Sequence, residues 1–173
     1  MYLLEVMLKR RSVRKYSDEE ISNEKMNKIL QAGLLAPTSR NLKPCHFLII
    51  ENKEVLKKIS ESKAHGAAFL KDANKAIAVI GNTMVADTWI EDSSIALAFM
   101  HLMATEQEVG SCWIQIRLRE SNDGESTEEL VRDLLGLDDY FGIVGILALG
   151  IEDGHIPAYT LDDIDKEKIH YLR

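Results

Sequence analysis

Arg10-Arg11-Ser12-Val13-Arg14-Lys15-Tyr16 sets four cationic side chains and two hydroxyls in one short turn, on a chain whose formal charge is otherwise dominated by acid and sums to −7. Guanidinium groups offer planar forks that match phosphate oxygens two at a time, and Ser12 stands among them with a further donor. The turn reads as a phosphate clamp. On this stretch alone a solvated basic turn remains the alternative, because charge runs commonly just face water. Further along, Ala36-Pro37-Thr38-Ser39-Arg40-Asn41-Leu42-Lys43-Pro44 joins a helical pattern to the apolar run from His46 to Ile50. Its prolines restrict the loop, and its small side chains leave backbone amides open to a flat ligand.

Around these two passages the pattern alternates between helix and strand. Leu3, Leu4, Met7 and Leu8 recur at helical spacing, so a first helix carries an apolar face into the basic turn. Ser17 and Glu20 could form a capping pair, and Ser22 is the N-cap expected for a helix holding Met26, Ile29, Leu30, Gly33 and Leu34, which Pro37 stops. Strands are expected over Phe47 to Glu51, Ala76 to Gly81, Ser111 to Arg117 and Ile143 to Gly150. Helices are expected over Lys53 to Ser62, from Asp92 to Val109 with Gly110 as C-cap, and after a start at Ser126. The stretch Ile95-Ala96-Leu97-Ala98-Phe99-Met100 is apolar around most of its circumference, as in a helix at the middle of a domain or of a dimer. No internal repeat or Gly/Ser/Pro-rich linker divides the chain. One α+β domain over residues 1–173 follows, with 151–173 a polar arm that packs on something other than its own core.

Composition excludes several classes. The 173 residues, 46% hydrophobic, suffice for one core. A duplex binder needs a basic face, and the acidic excess argues against nucleic acid. No apolar run approaches the roughly 20 residues that span a bilayer, and the chain opens on an amphipathic helix rather than a secretory leader, so a soluble cytoplasmic protein is expected. Cys45 and Cys112 read as reduced core thiols, and neither C-x-x-C nor H-x-x-x-H spacing offers a metal site. His101, on the central helix, reads as a hydrogen-bonded interior residue. A Rossmann unit or a P-loop would need glycine fingerprints that are missing.

Taken in order, the basic turn at 10–16, the loop at 36–44, Ser111-Cys112-Trp113-Ile114-Gln115, the run Val144 to Gly150 ending L-A-L-G, and Ile169-His170-Tyr171 resemble the nitroreductase family of flavin mononucleotide (FMN) enzymes over nearly the whole chain. That resemblance implies a central, mostly antiparallel sheet of four to five strands flanked by helices, in an obligate homodimer with two flavin sites at its interface. It implies that Arg10, Arg11 and Ser12 bind the phosphate and ribityl oxygens and that Arg14 approaches the pyrimidine edge, where a cation favours the reduced ring. Pro37, Thr38, Ser39 and Asn41 correspond to a loop that covers the flavin from the partner subunit. Trp113, Ile114 and Gln115 correspond to the strand under the ring, where a backbone amide faces N5, although Trp113 itself reads as core before stacking platform. Leu149 and Gly150 correspond to positions near the phosphate and ribityl chain, and the terminal arm to one that wraps the partner.

The implied activity is hydride transfer from NADH or NADPH through FMN to a small oxidised acceptor such as a nitroaromatic or quinone, by ping-pong turnover and with no side chain acting as a catalytic residue in the strict sense. The chain departs from the family in three places: it lacks the long insertion that shapes the substrate channel in larger relatives, which implies an open pocket, and it differs at two stretches of the site. Lys43-Pro44-Cys45 stands where Gln and an aromatic residue usually follow the loop asparagine. Pro157-Ala158-Tyr159-Thr160-Leu161 stands where a Lys or Arg commonly completes the phosphate clamp; Arg40 of the partner loop, or the hydroxyls of Tyr159 and Thr160, are the candidate substitutes. A non-catalytic flavin carrier or redox sensor is the alternative reading, and a flavin-free dimeric regulator the third.

Overall fold

The structure, a computed structural model, describes residues 2–172. Four strands, β1 (Cys45–Ile50), β2 (Lys75–Asn82), β3 (Gly110–Gln115) and β4 (Phe141–Gly150), form one antiparallel sheet in the order β1-β2-β4-β3. Five α-helices, α1 (Leu3–Lys9), α2 (Asn23–Leu34), α3 (Lys53–Glu61), α4 (Trp89–Glu106) and α5 (Thr127–Leu135), flank it. The expected α+β architecture is present, with four strands and every pairing antiparallel.

The two central strands are buried on both faces, so they read as continuous apolar runs instead of alternating ones. Ala76, Ala78, Ile80, Ile114 and Ile146 point to one side, where they meet Leu56 and Ile59 of α3 and Val131 of α5. Ile77, Val79, Leu147 and Leu149 point to the other, against Ile29 of α2 and Leu97 and Met100 of α4. A bulge interrupts this parity: the β2–β4 register passes from Val79↔Gly145 to Ile80↔Ile143, leaving Val144 unmatched. Its carbonyl then accepts from both Ile116 N (3.0 Å) and Arg117 N (3.2 Å), which ends β3 and turns the chain away from the sheet.

Ser22 caps α2, its side chain accepting from Lys25 N at 3.3 Å. Removing that oxygen in Ser22→Ala should cost about 1 kcal/mol, read as a lower urea midpoint with an unchanged slope. Ser17 caps no helix: residues 17–20 are irregular, with a bend at Asp18, and its hydroxyl accepts from Glu19 N. Gly110 is likewise no C-cap. The helix ends at Glu106 with Gln107 as its C-cap, and Glu108 takes the left-handed turn (φ 56°). The glycine is used one step later: a Cβ on Gly110 would lie 2.9 Å from Val13 Cγ1 and 3.0 Å from the Gly150 carbonyl. Its absence lets the basic turn lie flat against the sheet.

Candidate functional site

The basic turn is fastened along the ends of β3 and β4. Val13 N donates to the Ser111 carbonyl (3.0 Å) and Ser17 N to the Ile151 carbonyl (2.9 Å), with Ser12 bridging Ser111 and Tyr16 bridging Glu152. Tyr16 is buried, its hydroxyl donating to the Val13 carbonyl at 2.7 Å, and its ring fills the space over Gly150, where a Cβ would come within 2.5 Å of it. Burial raises the Tyr16 pKa, so the hydroxyl stays protonated. Leu149 is fully buried. Leu149 and Gly150 thus support the turn from below, and their side-chain positions are covered by this chain's own atoms.

The cations of the turn separate into two groups. Arg11 is taken by the C-terminal arm: it donates to the Pro157 carbonyl and stacks 4.4 Å from the Tyr159 ring centroid, while Tyr159 N donates to the Leu8 carbonyl (2.8 Å). Lys15 pairs with Asp153 at 2.7 Å. Arg10 turns the other way, onto His101 Nε2 at 3.3 Å. Arg14 stays exposed, bonded to the Ser12 carbonyl at 3.2 Å and lying 5.8 Å over Phe69.

Two further cations join that second group. Lys63, from the loop after α3, and Arg119, from the loop after β3, act on one another, and burial first and then Arg119 lower the Lys63 pKa. Ala64 N donates to the Glu120 carbonyl (3.0 Å), which ties the two loops together. Beneath the turn lies the Cys112 thiol, raised by burial, and the charges that act on it are all cationic: Arg14, Arg10 and Lys63. Like charges brought together on a chain of net −7 set up a locally positive field, the kind of surroundings that suits an anion. Nothing in the sequence singles out Lys63 or Arg119, because their meeting depends on two loops far apart along the chain.

β3 is an edge strand, and its hydrogen-bonding pattern decides which amides face outward. Ile116 N bonds into β4, whereas the Ser111 carbonyl bonds outward to the turn. By the alternation of an antiparallel pair, Ile114 then directs its backbone groups into the sheet, and Trp113 and Gln115 direct theirs to the open edge. Of the expected pair, Gln115 carries the amide that a ligand could reach. The Trp113 indole lies half-buried against Gly145 and donates to Gln115 Oε1 (3.1 Å), whose amide donates on to the Arg117 carbonyl (3.0 Å). Trp113 packs with the α2–α4 core.

The loop around Pro37 is built for rigidity. Arg40, Asn41 and Lys43 all have left-handed φ between 51° and 55°, a conformation that non-glycine residues hold only under outside constraint. Ser39 N donates to the buried Asp92 carboxylate at 2.9 Å, Lys43 N donates to Thr38 Oγ1 at 3.0 Å, and Arg40 pairs with Asp87. Asp92 and His101 both lie on α4, nine residues or about 13 Å apart along its axis. Within one chain, Pro37, Thr38, Ser39 and Asn41 therefore sit at the N-terminal end of α4 and Arg10 beside its C-terminal half. The clefts beside the turn hold about 170 Å³ and 330 Å³, and neither is lined by a residue of that loop.

Among the described residues no group of His, Cys, Asp or Glu could hold a metal, and no helix is long and apolar enough to cross a membrane. Both cysteines are free thiols.

The model of the Nitroreductase family matches residues 7–82 and 61–151. A protein of Archaeoglobus fulgidus named "Putative NADH dehydrogenase/NAD(P)H nitroreductase" is 33% identical over 172 residues, spanning 96% of this chain and 95% of its own. The solved structure of an FMN-dependent nitroreductase from Clostridium difficile R20291 is 38% identical and superposes with a TM-score of 0.95 over 98% of this chain and 99% of that one. A nitroreductase-like structure from Desulfovibrio desulfuricans, described in complex with FMN, shares the fold at 23% identity, with a TM-score of 0.75 over 99% of each chain. The chain belongs to the nitroreductase family.

Proposed function

We propose that this protein is an FMN-dependent oxidoreductase that works as a homodimer, taking hydride from NADH or NADPH and passing electrons to a small oxidised acceptor such as a nitroaromatic or quinone. The observation that carries the reading is the basic turn of Arg10 and Arg14 bonded to the open edge of β3, where the Gln115 amide points outward, with the tied loops that carry Lys63 and Arg119 adding positive charge on the Cys112 side. Such a donor set fits a ligand with a phosphate at one end and an electron-accepting ring at the other. The name of the 38% identical Clostridium difficile relative supports the same cofactor.

When bound, FMN supplies the hydride and electron chemistry. The chain's own residues then divide the remaining work. Arg10 and Ser12 hold the anionic end, and Arg14, next to the Cys112 side of β3, offers positive charge to an electron-rich ring edge. The outward amide of Gln115 donates a hydrogen bond without needing any particular side chain. The rigid loop Pro37, Thr38, Ser39 and Asn41 closes the partner's site, since it sits too far along α4 to close its own. After Pro157 and Tyr159 fasten the arm to Arg11 and Leu8 of its own chain, residues 160–172 remain exposed throughout, the stretch from which it would reach a second subunit.

Purified protein reconstituted with FMN should bleach in its visible flavin band on anaerobic addition of NADH or NADPH and recover on addition of a quinone. A flavin-loaded protein that neither nicotinamide reduces would contradict the oxidoreductase reading.

A further inference from the structure

We propose that His101 is a positioning residue, which aims the Arg10 guanidinium at the cofactor phosphate without cancelling its charge. The inference rests on the flavin reading above and extends it to a residue on the far side of the turn. Arg10 Nη1 lies 3.3 Å from His101 Nε2, and His101 Nδ1 lies 2.6 Å from Ser111 Oγ. An arginine only donates, so Nε2 is the acceptor, and the ring carries its one proton on Nδ1, from which it donates to the serine. The bonds run in one direction, from Arg10 through His101 to Ser111.

Beyond the half-buried Arg10 the series is buried, with Ser111 1% and His101 8% exposed. Ser111 is also the residue whose carbonyl accepts Val13 N, so a single residue fixes both the imidazole and the backbone of the basic turn. Arginines are commonly oriented by carboxylates, which neutralise what they orient. A neutral imidazole orients and leaves the full positive charge for the ligand. Burial, aided by the Arg10 charge itself, holds the His101 pKa at about 4, so the ring remains an acceptor at neutral pH.

Three substitutions separate orientation from charge. In His101→Gln the side chain can still accept from Arg10 and donate to Ser111, and FMN affinity should stay within about threefold. In His101→Leu the guanidinium loses its support, and FMN affinity should fall about tenfold. In His101→Glu the guanidinium is held but neutralised, and FMN affinity should fall by tenfold or more, with a flatter salt dependence. Fluorescence titration of each full-length variant with FMN and with riboflavin, which lacks the phosphate, should show these losses for FMN alone. Equal losses for both flavins, or a Leu variant that binds FMN as wild type does, would overturn the proposal while leaving the flavin reading intact. A wild-type chain that binds neither flavin would overturn both. An independent check needs no variant: nitrogen NMR of the wild-type ring should report the Nδ1–H tautomer, and Nε2–H would refute the arrangement.

Discussion

Arg10→Ala should weaken FMN binding on the order of 100-fold, since it deletes a charge-assisted pair of donors worth roughly 3 kcal/mol when fully used. Riboflavin binding should change little. The same substitution has a second consequence, visible with no flavin present, because Arg10 is also the cation against which His101 titrates. Burial lowers the His101 pKa most and Arg10 lowers it further, to about 4 from an ordinary 6.5. Without Arg10 the value should rise, yet remain below 6.5 because the ring stays buried.

The sign of the linked stability change follows from which state binds the proton. As pH falls through 6.5 the unfolded chain takes up a proton at His101 that the folded chain refuses until about 4. Stability is therefore lost across that window, by up to the order of 3 kcal/mol, and the loss is complete below the lower value. Arg10→Ala should shrink it. Urea unfolding of wild type and variant at neutral pH and at a pH near the bottom of the window would measure the difference. An identical acid dependence in the two proteins would show that the guanidinium and the imidazole do not interact.

How much of this was legible in the sequence depends on the range over which each feature is decided. Locally decided features could be read directly. The caps at Ser22 and Ser126 are found as expected, accepting from Lys25 N and Glu129 N, and β2 and β4 fall where their apolar runs lie, within a residue or two. Gly110 was misassigned because a glycine after a helix looks like a C-cap, whereas its actual partners, Val13 and Gly150, are brought to it only by the fold. Lys63 and Arg119 were invisible for the same reason. Among the cations that could be read, sequence could not say which partner each would take within the fold: Arg10 meets His101, Arg14 the Ser12 carbonyl, Arg11 the Tyr159 ring and Lys15 the Asp153 carboxylate. The choice between Ile114 and Gln115 turned on strand pairing, because a one-residue change of register exchanges which amide points outward.

The apolar character of α1 and α4 was legible too, but its meaning required seeing which residues the chain itself covers. Met100, Leu97 and Ala104 line the core with no exposed surface, while Phe99, on the opposite side of the same helix, is 41% exposed. Leu3, Met7 and Leu102 join Phe99 around an apolar groove of about 450 Å³. Continuous apolar surface of this kind marks an association face. On the proposed homodimer reading this face meets its copy, and a second chain supplies the Pro37 loop over the turn, because within one chain that loop and Arg10 lie about 13 Å apart along α4. Phe99→Glu places a charge in that groove and should convert the protein to a monomer at micromolar concentration, with FMN affinity falling by well over tenfold although the substituted side chain belongs to neither half of the site. Sedimentation velocity and flavin titration on the same samples would test both effects together. A variant that is monomeric yet binds FMN like wild type would mean that one chain holds the whole site, and a wild-type chain that sediments as a monomer would remove the partner from the proposal altogether.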